Sequence, residues 1–125
     1  MAIVFSQNKM EKSQSDIEFE AEMEALDRMF PDANFSICIG LSDLDDVISH
    51  DNFIVIRITH KCYCYMNNPR KDDLIYVYNK TGNGITNKDV VDAMIEDGYD
   101  PDCSHVFYEG LRQVRAGVFK AHFGS

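Results

Sequence analysis

Five cysteine and histidine side chains in this 125-residue sequence are spaced so that they suggest a metal site or a nucleophile with its base. Three of them alternate along one stretch and would share a face of a β-strand, and two more follow later in the chain. Thiolate and imidazole are the ligands that zinc takes in tetrahedral sites, and a thiolate beside a histidine can also attack a substrate. The residues that suggest metal- or thiol-dependent chemistry are His60, Cys62, Cys64, Cys103 and His105.

The spacing of Cys62 and Cys64 is unsuited to a regular zinc site. Alternate side chains of an extended strand lie about 7 Å apart, whereas two sulfurs on one tetrahedral zinc lie roughly 3.8 Å apart. We therefore expect the cysteines to be buried thiols, which behave as small hydrophobic residues, and we expect no cofactor. A small metal- or thiol-dependent protein that uses Cys62, Cys64, Cys103 and His105 is the alternative hypothesis.

Catalysis by Cys103 and His105 would require partners that the sequence does not supply. A nucleophilic cysteine needs an oriented base and an oxyanion hole, and no helix begins at Cys103 to favour its thiolate. The glycine-containing turn at residues 82–84 lacks the Lys-Ser/Thr pair of a phosphate-binding loop. We expect a protein that is not an enzyme and has no catalytic residues.

The longest strand pattern covers residues 53–66. Ile54, Ile56 and Ile58 begin an apolar side, while Phe53 and Arg57 belong to a mixed side that is typical of a half-solvated face. A turn cluster at 67–73 and a second strand at 74–78 follow. The pattern predicts an antiparallel hairpin.

Four tyrosines lie on these two predicted strands. On paired strands they could form one cross-strand aromatic patch on the mixed face. Under a helix this patch would belong to the core, but in solvent it would be a protein-binding surface, because tyrosine is favoured at interfaces. The predicted interaction face consists of Tyr63, Tyr65, Tyr76 and Tyr78.

Two helices are predicted from caps and periodicity. A capping box at Ser15 and Glu18 opens the first, whose apolar stripe is Phe19, Met23, Leu26 and Phe30, and Pro31 ends it. A second capping box, Thr86 with Asp89, opens the other helix, and Gly98 follows its end. The apolar stripe of this second helix is Val90, Val91, Met94 and Ile95.

Further strands are predicted at 35–41 and 105–111, with a last extended segment at 114–123. This order favours a single α+β domain with a mostly antiparallel sheet and two main helices on one face. The helix that begins at Thr86 could connect two parallel strands, so a mixed sheet is the alternative to a mostly antiparallel one. We expect a flexible leader at residues 1–14 and one domain at 15–125.

The net charge of −9 is unevenly placed. Residues 1–52 carry 12 acidic and 3 basic side chains, whereas residues 53–125 are balanced, with 9 of each. An acidic surface repels phosphate backbones, so we expect no nucleic-acid partner. The basic end, with Arg112, Arg115 and Lys120, could meet an acidic protein surface, either the first half of this chain or a second copy.

The sequence contains no apolar run long enough for a transmembrane helix and no signal-peptide pattern. We therefore expect no membrane partner, an intracellular location and reduced thiols.

Residues 61–111 resemble small proteins encoded by nucleocytoplasmic large DNA (giant) viruses. In that family an ITxxDV turn opens a helix, here with Ile85, Thr86, Asp89 and Val90, and a Cys-x-His-x-Phe-x-Glu-Gly segment follows, here residues 103–110. The resemblance implies a viral protein made in the host cytoplasm and packaged in the virion. It carries no catalytic residues over to this chain.

These expectations converge on a non-enzymatic interaction or structural protein. Its partner would be a second copy, giving a homo-oligomer, or a larger assembly on which it docks.

Overall fold

A computed structural model describes residues 13–58, 73–101 and 105–124. The predictions that fall on His60, Cys62, Cys64 and Cys103 lie outside these residues, as do Tyr63, Tyr65 and most of the leader. The helices are α1 (Gln14–Met29) and α2 (Asn87–Glu96), with a short 3-10 turn at Leu41–Asp43. The strands are β1 (Ser36–Ile37), β2 (Val47–Ser49), β3 (Phe53–Ile58), β4 (Asp73–Tyr78), β5 (Ile85–Thr86), β6 (Phe107–Arg115) and β7 (Val118–Gly124).

The predicted single α+β domain is confirmed, but its five-stranded sheet is mixed. The strand order is β1-β6-β7-β3-β4, and β2 pairs separately with β5. Strands β3 and β4 form the predicted antiparallel hairpin, whereas β3 pairs in parallel with β7, and β1 in parallel with β6. The expectation of a mostly antiparallel sheet was wrong because the β6–β7 hairpin lies between β1 and β3 and runs parallel to one neighbour on each side.

The β6–β7 hairpin also corrects the predicted break in the last third of the chain. The sequence pattern divided this region at residues 111–114, but β6 continues to Arg115 and β7 begins at Val118. The tight turn between them uses Gly117, whose φ of 75° is a left-handed conformation that glycine adopts without steric cost.

The predicted capping box at Ser15 and Glu18 was wrong, because α1 begins at Gln14 and Ser15 lies inside the helix. Its N-cap is Ser13, whose hydroxyl accepts a 3.2 Å hydrogen bond from the backbone N–H of Asp16. The predicted capping box of α2 is confirmed, since the hydroxyl of Thr86 accepts from the N–H of Asp89 and the Asp89 carboxylate accepts from the N–H of Thr86.

Both helices cover one face of the sheet. Leu26 and Phe30 of the α1 region share a single core with Val90, Val91 and Met94 of α2. The same core holds the apolar side of β3 and its neighbours: Ile54, Ile56, Ile58, Ile75, Val77, Phe119 and Ala121. The covered side is therefore the inner face of the sheet.

The predicted stripe of α1 is only partly buried. Leu26 is fully buried and Phe30 is 5% exposed, but Phe19 is 59% exposed. The stripe thus reaches the core only along the C-terminal half of the helix.

Leu26→Ala should lower the free energy of unfolding by about 2–5 kcal/mol, because it leaves a cavity in the core. Phe19→Ala is the matched control on the same stripe, and it should change that free energy by less than about 0.5 kcal/mol. Chemical denaturation at low protein concentration measures both variants. Equal losses would contradict the difference in burial between the two ends of α1.

Candidate protein-binding face

The register of β3 and β4 separates two kinds of cross-strand pair. Ile54 faces Val77 and Ile56 faces Ile75 on the inner face. Side chains alternate along a strand, so the intervening pairs project from the opposite side of the sheet, here called the outer face. These outer pairs are Phe53 with Tyr78, Val55 with Tyr76, and Arg57 with Leu74.

Three rings on the outer face form an aromatic cluster: Phe53, Tyr76 and Tyr78. The ring centroid of Phe53 lies 6.1 Å from that of Tyr76 and 6.0 Å from that of Tyr78. The three residues are 48%, 51% and 57% exposed, respectively. Leu74, on the same side of β4, is 53% exposed. Contiguous exposed apolar side chains of this kind are characteristic of interaction surfaces.

The parallel pairing of β3 with β7 places a row of cations beside this cluster. Arg57 is opposite Lys120, and Lys120 is opposite Arg112 across the β6–β7 hairpin. Directly opposite residues share a face, so Arg57, Lys120 and Arg112 form one cation row across three neighbouring strands. Arg115, opposite Val118, adds a fourth positive charge on the same face.

The cations that β6 and β7 contribute to the outer face have no described anionic partner. No ion pair joins a described carboxylate to Arg112, Arg115 or Lys120. Like charges directly opposite each other on a sheet are destabilising. An anionic partner on the outer face would relieve this repulsion.

The outer face contains two of the four tyrosines of the predicted interaction face, together with residues that were not predicted as part of it. Tyr76 and Tyr78 lie together, with Val55 and Phe53 as their cross-strand neighbours. Tyr63 and Tyr65 lie outside the described residues, so their place on this face stays a prediction. Phe53 was predicted to lie on the mixed side of its strand but was not selected as a site residue. The structure adds it to the outer face, because its ring is exposed beside two tyrosines.

The thiol hypothesis concerns residues that lie mostly outside the described ranges. Of the residues that it uses, only His105 is described, and it is half-buried just before β6. Cys38 is half-buried, and its pKa is raised mainly by burial and further by the negative charges of Glu109 and Asp27. A protonated thiol is a weak nucleophile, so Cys38 has the character of a structural cysteine.

Within the described ranges, no group of three or more histidine, cysteine or acidic side chains is placed to hold a metal ion. No described helix is both long enough and apolar enough to cross a bilayer.

Comparison with known proteins adds no family to this geometry: no family model, curated protein or solved structure matches the chain.

Tyr108 is the one buried polar side chain of the described residues whose oxygen lacks a hydrogen-bond partner. Its ring packs edge-on against Phe35, with centroids 6.4 Å apart, and at a tilt against Phe123, with centroids 5.5 Å apart. Burial raises the pKa of the Tyr108 hydroxyl well above its ordinary value of 10.0. The hydroxyl is therefore held neutral in the core and has no role on the outer face.

Tyr108→Phe should raise the free energy of unfolding at neutral pH by about 1–3 kcal/mol, because it removes an unpartnered buried hydroxyl. Above pH 10.0 the hydroxyl ionises in the unfolded chain but stays protonated in the folded one, so the wild type should lose stability as the pH rises. The variant should lose less stability over the same interval. Denaturation at neutral pH and above pH 10 measures both effects, and a large loss of stability in the variant at neutral pH would contradict this account.

Proposed function

We propose that this protein is a non-enzymatic interaction module that binds another protein chain on its outer face, by self-association or by docking onto a larger assembly. One observation carries the proposal. The aromatic cluster of Phe53, Tyr76 and Tyr78 is about half exposed and lies on a sheet whose other face is packed.

The shape and composition of the outer face favour a protein over a small molecule. Small-molecule sites are concave and bury most of the ligand, whereas the outer face is the exposed side of a sheet. Tyr76 and Tyr78 also line a cavity of about 310 Å³, but that cavity lies between β4 and α2. Tyrosine, phenylalanine and arginine are enriched in protein–protein interfaces and supply much of their binding energy. Phe53, Tyr76 and Arg112 offer all three types on one face.

Charge favours an acidic protein partner over a nucleic acid. The whole chain carries −9, which repels a phosphate backbone at long range. The cation row is a local exception that can pair with carboxylates once the surfaces are in contact. The resemblance to giant-virus proteins adds a setting to the proposal: a protein made in the host cytoplasm that assembles into a larger structure such as the virion.

Tyr76→Ser combined with Tyr78→Ser should weaken association by roughly tenfold to a hundredfold, because rigid aromatic side chains are typical binding hot spots. The free energy of unfolding should change by less than about 1 kcal/mol, because both side chains are exposed. Sedimentation velocity over a range of concentrations measures self-association. Retention of proteins from the native source on the immobilised chain measures docking.

The matched control is Leu41→Ser combined with Val47→Ser, which alters exposed apolar residues, 37% and 46% exposed, outside the outer face. It should retain wild-type association and the same bound proteins. If the tyrosine variant binds as well as the wild type, or if the control loses as much binding, the outer face is not the binding surface.

A further inference from the structure

The N-terminal half of α1 extends beyond the packed body of the protein. Every residue from 13 to 21 is exposed, and Leu26 is the first buried residue of the helix. Phe19 continues the stripe of Leu26 and Phe30 at spacings of seven and eleven residues, which correspond to two and three helical turns. The apolar stripe therefore runs out of the core and ends in an exposed aromatic ring.

Acidic side chains flank this exposed ring. Glu18 and Glu20 lie on either side of Phe19, because adjacent helical residues are rotated by about 100°. Asp16 adds a further negative charge to the same half of the helix. An amphipathic helix that presents an apolar anchor with charged flanks is a common form of docking segment.

This half-helix complements the outer face in chemistry and in size. Its nine exposed residues span about 13 Å at 1.5 Å per residue, and the four strands β6, β7, β3 and β4 span about 14 Å at 4.8 Å per spacing. The outer face offers an aromatic cluster for Phe19 and a cation row for the flanking carboxylates.

The helix cannot reach the outer face of its own chain. Leu26 and Phe30 anchor α1 to the core on the inner face, and the sheet separates it from the aromatic cluster. Contact between the two surfaces therefore requires a second molecule.

We infer that the outer face of one copy binds the exposed, acidic half of α1 from a second copy. Phe19 packs against Val55 and Tyr76, and the Glu18 carboxylate pairs with Lys120. The inference rests on the proposed function and names the partner of that same face.

Salt distinguishes this contact from a purely apolar one. Each copy carries −9, so screening would reduce overall repulsion and strengthen an association that was driven by apolar contact alone. Added salt should instead weaken an association that depends on pairing of carboxylates with the cation row. We expect association to weaken by at least tenfold between low salt and high salt.

A charge-swap experiment tests the inference directly. The face-reversed variant carries Arg112→Glu and Lys120→Glu, and the helix-reversed variant carries Glu18→Lys and Glu20→Lys. Each variant alone should lose self-association by at least tenfold, because its helix and its outer face then carry the same sign of charge. An equimolar mixture should regain association, since each helix meets an outer face of opposite charge. Circular dichroism and thermal unfolding verify that each variant is folded, and Phe19→Ser provides an uncharged test of the same helix.

The outcomes separate this inference from the proposed function. Association that is lost in the tyrosine variant but kept in both the helix-reversed and Phe19→Ser variants would overturn the helix as partner and support the outer face as binding surface. A wild type that is strictly monomeric would overturn the inference, while retention of another protein, lost in the tyrosine variant, would still support the proposed function. Association that no outer-face variant reduces would overturn both.

A single-stranded oligonucleotide is the remaining test ligand. Binding of this probe at physiological salt, abolished in the face-reversed variant, would assign the cation row to nucleic acid and overturn the inference. We expect no binding, because the protein as a whole is strongly acidic.

Discussion

Burial of Ile54, Ile56 and Ile58 is the constraint on which the rest of the structure depends. Each is at most 2% exposed, and together they fix which side of β3 faces the helices. Because side chains alternate along a strand, the same burial forces Phe53, Val55 and Arg57 onto the opposite side. A shift of register by one residue would exchange the two sets, so core packing and the outer face are specified together.

The pairing of β3 with its two neighbours then builds the outer face. Antiparallel pairing with β4 brings Tyr76 and Tyr78 beside Phe53, and parallel pairing with β7 brings Lys120 beside Arg57. The first pairing is formed by a local hairpin, whereas the second joins residues about 60 positions apart. A surface that combines an exposed aromatic cluster with like-charged neighbours does not help this chain fold. We propose that binding explains its composition.

Local sequence accounts for the features that depend on nearby residues. The alternation in β3, the hairpin with β4, and the capping box of Thr86 and Asp89 were all predicted, because each is specified within a few residues. The parallel pairings were not predicted, because the alternating pattern of residues 53–58 does not depend on which strand lies beside them. The cation row was not predicted, for the same reason. The sequence shows Arg112 and Lys120 only as a basic end of the chain, and the register of β3 with β7 is needed to add Arg57 to them. The exposure of Phe19 was also missed, because the periodicity of α1 does not reveal where the protein body ends.

We propose that the outer face is covered when this protein binds a protein partner. Hydroxyl-radical footprinting of the wild type at low and at high protein concentration tests it most directly, since the aromatic side chains react in proportion to their exposure. Phe53, Tyr76 and Tyr78 should become protected as concentration rises, together with Phe19, while Leu41 and Val47 keep the same reactivity. Association with undiminished reactivity of Phe53, Tyr76 and Tyr78 would contradict the account.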